Sequence, residues 1–266
     1  MTAASPAPAL PAATPFVAPE GWKAIDFVSD LHLAADTLRT VEAFAAFLRT
    51  TDADAVFILG DLVEAWVGDD ARVEGFEAQC TALLAEAARR RPLAFMAGNR
   101  DFLAGAAWLA ACGMTALPDP TLLAAFGQRV LLTHGDALCL ADAEYQRFRA
   151  MVRDPAWQAM ALALPLGERR RRAAQMRHAS EQRQADGTLA AAQADIDRSA
   201  AVAWMQAADA PLMIHGHTHR PGSDALAAGR VRHVLSDWDC DGRGAARAQV
   251  LRLTAHGVER RSAALP

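Results

Sequence analysis

The sequence predicts an α/β fold that carries a helical insertion. Short apolar runs of the kind found in buried strands alternate with longer segments whose apolar residues recur at helical spacing. Hairpin-like strand segments late in the chain predict a second sheet. Between Asp142 and Ala208 the strand signal vanishes, and the composition is almost wholly helical. This insertion is expected to lie over one edge of the α/β core.

The individual elements follow in a regular order. The predicted strands are residues 24–29, 55–59, 93–97, 212–215, 231–235 and 248–253, and the predicted helices are residues 41–49, 76–90 and 102–112. A hairpin is predicted between residues 122–126 and 129–133. It is expected to turn across Gly127 and Gln128, because glycine tolerates the positive φ of a tight turn.

The chain divides into three predicted parts. Residues 1–22 are rich in proline and alanine and lack a basic start, which predicts a flexible leader rather than a signal peptide. Residues 23–141 and 209–266 form the predicted core, and residues 142–208 form a predicted helical cap. No apolar run approaches the ~20 residues that span a bilayer, and no cysteine pair has CxxC spacing. A cytoplasmic location is therefore expected.

The composition limits the class of protein. The chain has 266 residues, of which 52% are hydrophobic and 22% charged, and this balance excludes a disordered protein. The net charge of −4 provides no basic field for DNA or RNA, so no nucleic-acid partner is expected. Lys23 is the only lysine, so arginine carries nearly all the positive charge. A high arginine content suits bidentate binding of phosphate. It can equally reflect the base composition of the genome.

Polar clusters follow five of the predicted strands, at the strand ends where an α/β sheet places its ligands. Taken alone, each cluster is also typical of a capped loop or a polar turn. Their joint order favours a single site, and the mixture of ligand types suits a pair of Mn²⁺, Fe²⁺ or Zn²⁺ ions ~3.5–4 Å apart, bridged by Asp61. The neighbouring Gly60, Gly98 and Gly216 are expected to allow sharp turns. The polar residues are Asp30, His32, Asp61, Asn99, Arg100, His134, His215, His217 and His219.

This ordered set resembles the calcineurin-like metallophosphoesterase superfamily. The resemblance covers roughly residues 24–253 and implies a β-sandwich core flanked by helices, an α/β/β/α arrangement, with a helical cap insertion. It also implies two Mn²⁺ ions per chain, with Fe²⁺ or Zn²⁺ as alternatives. One ion is expected on Asp30, His32, Asp61 and His219, and the other on Asp61, Asn99, His134 and His217. The histidine pair of the GHxH motif is His217 and His219, at residues 216–219. His215 precedes this motif and is expected to support the site rather than to bind an ion.

Two longer strings narrow the resemblance to one branch of that superfamily. Residues 60–70 read GDLVEAWVGDD and residues 98–103 read GNRDFL, similar to the pyrophosphatases of lipid A synthesis in Gram-negative bacteria. The resemblance implies that water attacks the α-phosphorus of the lipid nucleotide UDP-2,3-diacylglucosamine, giving UMP and 2,3-diacylglucosamine 1-phosphate. It implies peripheral attachment to the cytoplasmic face of the inner membrane, and the oligomeric state stays open with a monomer favoured. The catalytic residues expected on this basis are Asp61, Asn99, Arg100 and His217.

Arg100 supports a pyrophosphate substrate through its own chemistry. The wider superfamily usually carries histidine here, and histidine can protonate an alkoxide leaving group, whereas arginine cannot give up its proton. Cleavage of a pyrophosphate expels a phosphate monoester, whose second pKa is roughly 6 by analogy with phosphorylated side chains, so no such acid is needed. Arg100 is therefore expected to clamp the phosphoryl group. The alternative is a structural pair with Asp101.

The predicted cap suits a lipid substrate. An apolar series precedes a run of arginines, which is the pattern of a surface that accepts acyl chains and anionic head groups. A core-facing helix followed by a solvated basic face explains the same pattern equally well. The apolar series is Phe148, Val152, Trp157, Met160, Leu162, Leu164 and Leu166, and the arginines are Arg169, Arg170, Arg171, Arg172, Arg177 and Arg183.

The resemblance further implies a set of substrate contacts. Where the family carries a cap asparagine and lysine, this sequence has Gln184 and no lysine, so Gln184 is a candidate and Arg177 or Arg183 is expected to substitute. The other expected contacts are Asn99, Arg100, Asp142, Ser180 and His217.

Two other functions stay open at this point. One is a related metallophosphoesterase that acts on another nucleotide diphosphate or on a phosphodiester. The other is a binding scaffold on the same fold with a dead site. A dead site is expected to have lost ligands, whereas every ligand position is filled in this sequence.

Overall fold

The computed structural model describes residues 9–185 and 195–263, with the side chains at 179–181 and 183–185 outside that description. The strands in chain order are β1 (Thr14–Val17), β2 (Ala24–Val28), β3 (Ala55–Leu59), β4 (Leu93–Met96), β5 (Met114–Ala116), β6 (Thr121–Ala125), β7 (Gln128–Thr133), β8 (Leu212–His215), β9 (Gly222–Ala227), β10 (Arg230–Val234), β11 (Gln249–Thr254) and β12 (Gly257–Ser262). They form two six-stranded sheets, of spatial order β12-β11-β2-β3-β4-β5 in the first and β1-β6-β7-β8-β10-β9 in the second.

The helices cover the outer faces of the two sheets and form the insertion. They are α1 (Leu38–Thr50), α2 (Gly75–Ala88), α3 (Ala106–Cys112), α4 (Ala143–Val152), α5 (Pro155–Leu162), α6 (Leu166–Ala185) and α7 (Arg198–Ala207). Apolar side chains of α1, α2 and α3 pack on the first sheet, and those of α7 pack on the second. A third apolar cluster fills the space between the sheets. The predicted α/β/β/α layering is confirmed.

The central strands of the first sheet are buried along their whole length. Every residue of β2 and β3 is buried, because the second sheet covers one face and the helices cover the other. The parallel pairing β2-β3-β4 brings the carboxyl ends of these strands to one edge. In the second sheet β7 and β8 are also parallel, so their carboxyl ends share an edge too.

The prediction of a flexible leader over residues 1–22 is wrong for its last third. β1 pairs in parallel with β6 at the edge of the second sheet. Phe16 of this strand packs edge-on against Phe57, with ring centroids 5.1 Å apart, and Trp22 lies at 6.5 Å from the same ring. The proline-rich composition suggested a leader, but two aromatic side chains anchor the segment, and an edge strand tolerates proline.

Other element boundaries differ for local reasons. The hairpin turns across Phe126 and Gly127, at φ values of 54° and 74°, rather than across Gly127 and Gln128. The third helix begins at Ala106 rather than at residue 102. The sequence did not predict β5, β9 or β12, since β5 is short and the other two carry the polar or small residues of sheet edges.

α4, α5 and α6 lie within the predicted cap, whereas α7 packs on the second sheet. Trp204 and Met205 of α7 are buried with Leu131 and Met213 of the second sheet. The placement of residues 198–207 in the cap is therefore wrong, because an apolar face of α7 covers the outer side of that sheet. Among the described residues, no helix combines the length and apolar content that a bilayer crossing requires.

Candidate metal and phosphate site

Side chains from five loops meet at one edge of the sandwich. The loops follow β2, β3 and β4 of the first sheet and β7 and β8 of the second. Two groups of possible ligands result, and in each group the ligand atoms lie within 4.8 Å of one another. The predicted convergence of residues that are far apart in sequence is thereby observed. The groups are Asp30, His32 and His219, and Asp61, His134 and His217.

The backbone of these loops is strained. Seven non-glycine residues of the described chain have positive φ, and five of them are site residues. Such conformations cost about 1–3 kcal/mol each and persist where the surrounding structure imposes them. Hydrogen bonds between the loops impose them here, from the Asp30 amide to the Gly60 carbonyl and from the His32 amide to the Asp61 carbonyl, both at 3.0 Å. The five residues are Asp30, His32, Asp61, His217 and His219.

The first group, Asp30 with His32 and His219, contains a buried oxygen that lacks a hydrogen-bond partner. Asp30 Oδ2 accepts from the His217 amide at 2.8 Å and from the Ser29 hydroxyl at 2.5 Å. Asp30 Oδ1 has no hydrogen bond, although it is buried, and lies 3.4 Å from His219 Nε2. His32 Nε2 lies 3.4 Å from the same His219 atom. Ring nitrogens turned toward an unpartnered buried carboxylate oxygen fit a cation that all of them can bind.

The second group, Asp61 with His134 and His217, is organised around an amide oxygen. Asn99 Oδ1 lies 2.9 Å from His134 Nε2 and 2.8 Å from His217 Nδ1. His134 Nδ1 donates to the Leu59 carbonyl at 2.8 Å, which leaves Nε2 for a ligand. The predicted members of this group are therefore brought together, Asn99 included.

Asp61 lies between the two groups. Its Oδ2 atom is 3.9 Å from His32 Nε2 and 3.8 Å from His134 Nε2. Its Oδ1 atom accepts from the Arg100 amide at 2.8 Å, which holds the carboxylate in place. A carboxylate in this position can bridge two cations, and the donor set of carboxylate, imidazole and amide oxygen fits a dinuclear centre.

The three neighbouring glycines act in two different ways. Gly60 adopts a φ of +90°, as a sharp turn requires. Gly98 and Gly216 have no positive φ, so the backbone conformation does not by itself require glycine there, although a tight turn does begin at Gly216, where the Thr218 amide donates to the Gly216 carbonyl at 2.8 Å. A Cβ at Gly98 would overlap the Asp61 carboxylate, and a Cβ at Gly216 would overlap that of Asp30. These two positions need glycine because a ligand side chain packs directly on the backbone.

The charges around the second group favour a cation. Burial lowers the pKa of His134, but the carboxylates of Asp61 and Asp136 outweigh burial and raise this pKa to about 9. Burial and the adjacent His134 lower the pKa of His217 to about 4, so its imidazole stays neutral. The field that retains a proton on His134 also attracts a divalent cation in place of that proton.

Arg100 pairs with Glu64 and not with Asp101. Its Nη1 atom lies 3.3 Å from Glu64 Oε1. Asp101 is buried and accepts hydrogen bonds from the amides of Leu62 and Gly98, both at 2.7 Å. Burial, together with the nearby charge of Asp61, raises the pKa of Asp101 to about 7. The alternative of an Arg100–Asp101 pair is therefore wrong.

A cavity of about 830 Å³ extends from the site to the cap. Glu64, Asn99, Arg100 and Arg177 line it beside the site, here called the polar end, and its other polar lining residues are Tyr145, Glu168, Arg169, Arg172 and Gln175. Three members of the predicted apolar series, Phe148, Trp157 and Leu164, also line the cavity, whereas Val152 is buried, Leu166 is half-buried, and Met160 and Leu162 are exposed. The apolar lining consists of Ala65, Trp66, Val67, Phe102, Leu103, Phe148, Trp157, Ala161, Leu164, Ala173 and Met176.

Two members of the predicted arginine run hold the cap on the core. Arg169 is buried and pairs with Asp70, and Arg170 pairs with Glu74 at 2.7 Å on the opposite side of the interface. These two do not form the predicted surface for anions, because acidic residues of the core already neutralise them. Arg171 and Arg172 pair within α6 with Glu168, Arg177 lies 3.5 Å from Glu64, and the side chain of Arg183 is outside the described residues.

The remaining predicted substrate residues have varied surroundings. Asp142 caps the amino end of α4, where its Oδ1 atom accepts from the Tyr145 amide at 2.9 Å. The side chains of Ser180 and Gln184 lie outside the described residues. His215 is buried beside the GHxH pair, its Nδ1 atom lies 2.9 Å from the Gly216 carbonyl, and burial lowers its pKa to about 4.

Three further residues belong to the site, and the sequence analysis assigned none of them a role. Glu64 contacts His32 and Arg100, Tyr145 donates to Asp136 at 2.8 Å, and the Tyr145 ring lies 5.7 Å from that of His217. Glu64 lies in the quoted string of residues 60–70, and Asp136 lies two residues after the predicted ligand His134, so both had a signal in the sequence. No pattern in the sequence marks Tyr145.

Comparison with known proteins agrees with this geometry. Residues 23–221 match the model of the calcineurin-like phosphoesterases, and the chain belongs to that family. The family predicted from the strand-end motifs is confirmed. The chain is 43% identical over 243 residues to a protein of Xanthomonas oryzae pv. oryzae named UDP-2,3-diacylglucosamine hydrolase, covering 87% of this chain and 96% of that one.

Other relatives carry the same name. A Xanthomonas axonopodis pv. citri protein is 42% identical, covering 90% of this chain and 98% of its own length. A Ralstonia nicotianae protein is 45% identical, covering 81% and 84% respectively. Among solved structures, an archaeal phosphodiesterase aligns with 90% of this chain and 98% of its own, at 12% identity and a TM-score of 0.46.

Proposed function

We propose that this protein hydrolyses UDP-2,3-diacylglucosamine in lipid A synthesis, releasing UMP and 2,3-diacylglucosamine 1-phosphate. The name shared by relatives at 42–45% identity supports the substrate. The observation that carries the proposal is the cavity of about 830 Å³, because it borders the candidate metal site and is lined both by arginines and by many apolar side chains. One molecule with a pyrophosphate and two acyl chains requires both kinds of lining at once.

Two divalent cations, proposed as Mn²⁺, would be held by the residues of the two groups. Asp30, His32, Asp61 and His219 would hold one, and Asp61, Asn99, His134 and His217 would hold the other, with Asp61 shared. When bound, such a pair polarises phosphoryl oxygens and activates water for attack. Fe²⁺ or Zn²⁺ would fit the same donor atoms.

The reaction places distinct demands on the residues of the polar end. The oxygen of water would form a bond to the α-phosphorus as the water releases its proton to the solvent, and the bond from that phosphorus to the bridging oxygen would break. The bridging oxygen leaves with the 1-phosphate of the lipid product. Arg100 would neutralise the charge on this leaving phosphate, and no group has to protonate it. Asn99 and His217 would orient the phosphoryl group from the opposite side.

We further propose peripheral attachment to the inner-membrane surface, as a monomer in the cytoplasm. Several apolar side chains of the cap are exposed, although most apolar residues of the core are buried. A surface of this kind near the cavity suits extraction of a lipid substrate from a bilayer. The exposed cap residues are Met151, Met160, Leu162 and Met176.

An assay on the purified protein tests the proposal. The lipid nucleotide is incubated with Mn²⁺, Fe²⁺ or Zn²⁺ or with a chelator, and UMP release is measured. We expect Mn²⁺-stimulated release, inhibition by the chelator and little action on UDP-N-acetylglucosamine, which lacks the acyl chains. Equal cleavage of this small nucleotide sugar would instead favour a related enzyme for another nucleotide diphosphate. A chain that binds two metals without cleaving either compound would favour a binding scaffold.

A further inference from the structure

Glu64 contacts a candidate metal ligand with one carboxylate oxygen, and Arg100 and an arginine of the cap with the other. Its Oε2 atom lies 3.0 Å from His32 Nδ1. Its Oε1 atom lies 3.3 Å from Arg100 Nη1 and 3.5 Å from Arg177 Nε. We propose that Glu64 is a positioning residue that links binding of the first cation to the orientation of both arginines. The inference rests on the proposed cation site but not on the identity of the substrate.

The Glu64 carboxylate lies on the Nδ1 side of the His32 ring, at 3.0 Å but without hydrogen-bond geometry. A carboxylate beside Nδ1 favours the tautomer that carries its proton there, so Nε2 keeps its lone pair for a cation. The Nε2 atom faces the other ligands, at 3.4 Å from His219 Nε2 and 3.9 Å from Asp61 Oδ2. His32 is partly exposed and has a φ of 47°, so its ring needs an external support.

The contacts with the arginines orient two positive charges toward the same cavity. Arg100 follows β4 in the core, whereas Arg177 belongs to α6 in the cap, and both line the polar end. Each guanidinium group lies within 3.5 Å of the same Glu64 oxygen, so without that carboxylate the two positive charges would repel each other. Glu64 therefore allows the core and the cap to present one positive site to an anion.

The backbone of Glu64 is fixed to the loop that carries His32. The Glu64 amide donates to the Leu33 carbonyl at 3.1 Å, and Leu33 and Val63 form an isolated parallel bridge. The loops after β2 and β3 are thus joined beside the site. With its side chain only 15% exposed, Glu64 occupies a defined position between these loops and the cap.

Glu64→Gln tests the inference, because glutamine keeps the size of the side chain and removes its charge. The full chain, stripped of metal, is titrated with Mn²⁺ by calorimetry, and inorganic pyrophosphate is then titrated into the Mn²⁺-saturated protein. We expect about a tenfold to hundredfold weaker Mn²⁺ affinity at one site. We also expect about a tenfold weaker pyrophosphate affinity, because both arginines lose their common partner.

Two matched variants separate positioning from other effects. Glu77→Gln removes a carboxylate of α2 that pairs with Arg170 of the cap at 3.2 Å, and it is expected to preserve both affinities. Glu64→Asp keeps the charge but shortens the side chain, so it cannot reach all three partners and is expected to weaken both affinities. Circular dichroism and thermal unfolding establish that each variant is folded.

Wild-type affinities in Glu64→Gln for both Mn²⁺ and pyrophosphate would overturn the inference. Wild-type affinities in Glu64→Asp with losses in Glu64→Gln would do so as well, because charge alone would then suffice. A wild-type chain that binds no Mn²⁺ would overturn the proposed function itself. A wild-type chain that binds two Mn²⁺ ions but does not cleave the lipid nucleotide would overturn only the proposed substrate.

Discussion

The strand-end site and the cap border the same cavity, but different forces hold them. Asp30, Asp61 and His134 are at most 2% exposed, and strained loops joined by hydrogen bonds position the first two. In the cap, α5 has no buried residue, and Arg169 is the only buried side chain among those described for α6. The cap is attached largely through ion pairs between its arginines and acidic residues of the core.

The two regions differ in how firmly they are held. Exposed ion pairs such as Arg170–Glu74 contribute about 0–1 kcal/mol each, whereas distortion of the buried loops disrupts core packing and buried hydrogen bonds. Apart from the pairs made by the buried Arg169 and Asp136, the cap is therefore held by weaker contacts than the metal site. The proposed lipid substrate would suit this difference, because its acyl chains must enter while its phosphates meet preorganised groups.

The largest expected effect concerns the bridging carboxylate. Asp61→Ala removes the group that lies between both sets of ligands, and we expect turnover to fall by about 10³-fold or more. Metal analysis of the dialysed protein should show fewer than two ions per chain. Asp36→Ala, on an exposed residue of the neighbouring loop, is the control and should keep full metal content. Normal turnover in Asp61→Ala would refute the bridging role.

A slightly smaller loss is expected at the phosphate clamp. Arg100→Ala removes a fixed positive charge from the polar end, and we expect kcat to fall by about 10²–10³-fold with both metals still bound. Arg100→His should not restore pyrophosphate cleavage, because the leaving phosphate needs charge neutralisation rather than a proton. Steady-state kinetics with the lipid nucleotide provide the measurement. A fully active Arg100→His protein would contradict the leaving-group argument.

Arg169→Ala is expected to weaken the attachment of the cap to the core without changing the metal site. The Arg169 guanidinium pairs with Asp70 and donates to the Val67 and Leu164 carbonyls, and loss of these charge-assisted bonds should cost the cap about 2–3 kcal/mol. Hydrogen exchange should accelerate in α5 and α6 and stay unchanged in β2 and β3. Arg171→Ala, whose partner Glu168 lies within the same helix, serves as the control. Equal acceleration in the strands would show that the cap is not an independent unit.

The smallest effect concerns Asp195, where the chain returns from the cap to the second sheet. Burial opposes ionisation of Asp195, but Arg232 outweighs burial and holds the pKa of this carboxyl below its ordinary value of 3.8. A depressed pKa in the folded state stabilises the protein above about pH 4, and this contribution disappears as the pH falls through the folded value. Asp195→Asn should therefore lower the free energy of unfolding by about 1 kcal/mol at neutral pH.

Chemical denaturation of wild type and Asp195→Asn across the acid range measures this pH dependence. The difference between the two proteins should shrink below about pH 4, where the wild-type carboxylate also loses its charge. A difference that stays constant down to strongly acidic pH would show that the Asp195–Arg232 pair does not act through charge.

Local sequence patterns were sufficient for much of the core and for the site. The predicted bounds of residues 55–59 and 212–215 coincide with β3 and β8, because each is an apolar run next to a polar turn. Asp61 and His217 could be placed near each other because both directly follow such strands. Parallel strands that end at one edge bring their loops together without any knowledge of side-chain contacts.

Patterns were insufficient where the partner is distant in sequence. Arg169 was taken for a surface that binds anions, but its partner Asp70 lies 99 residues earlier. β1 was assigned to a leader because Phe16 finds its packing partner Phe57 only in the folded sandwich. Nothing local to Tyr145 indicates that its ring lies beside His217.

The order of apolar runs and strand-end polar residues was enough to predict an α/β fold with one metal site, since each signal lies in a short stretch of chain. The resemblance carried by those residues implied the layered sheets and the two groups of ligands. The attachment of the cap, the lining of the cavity and the position of Glu64 between His32, Arg100 and Arg177 became known from the folded chain. Charge pairing and packing depend on distance in space, and the local sequence around two side chains a hundred residues apart does not indicate that they touch.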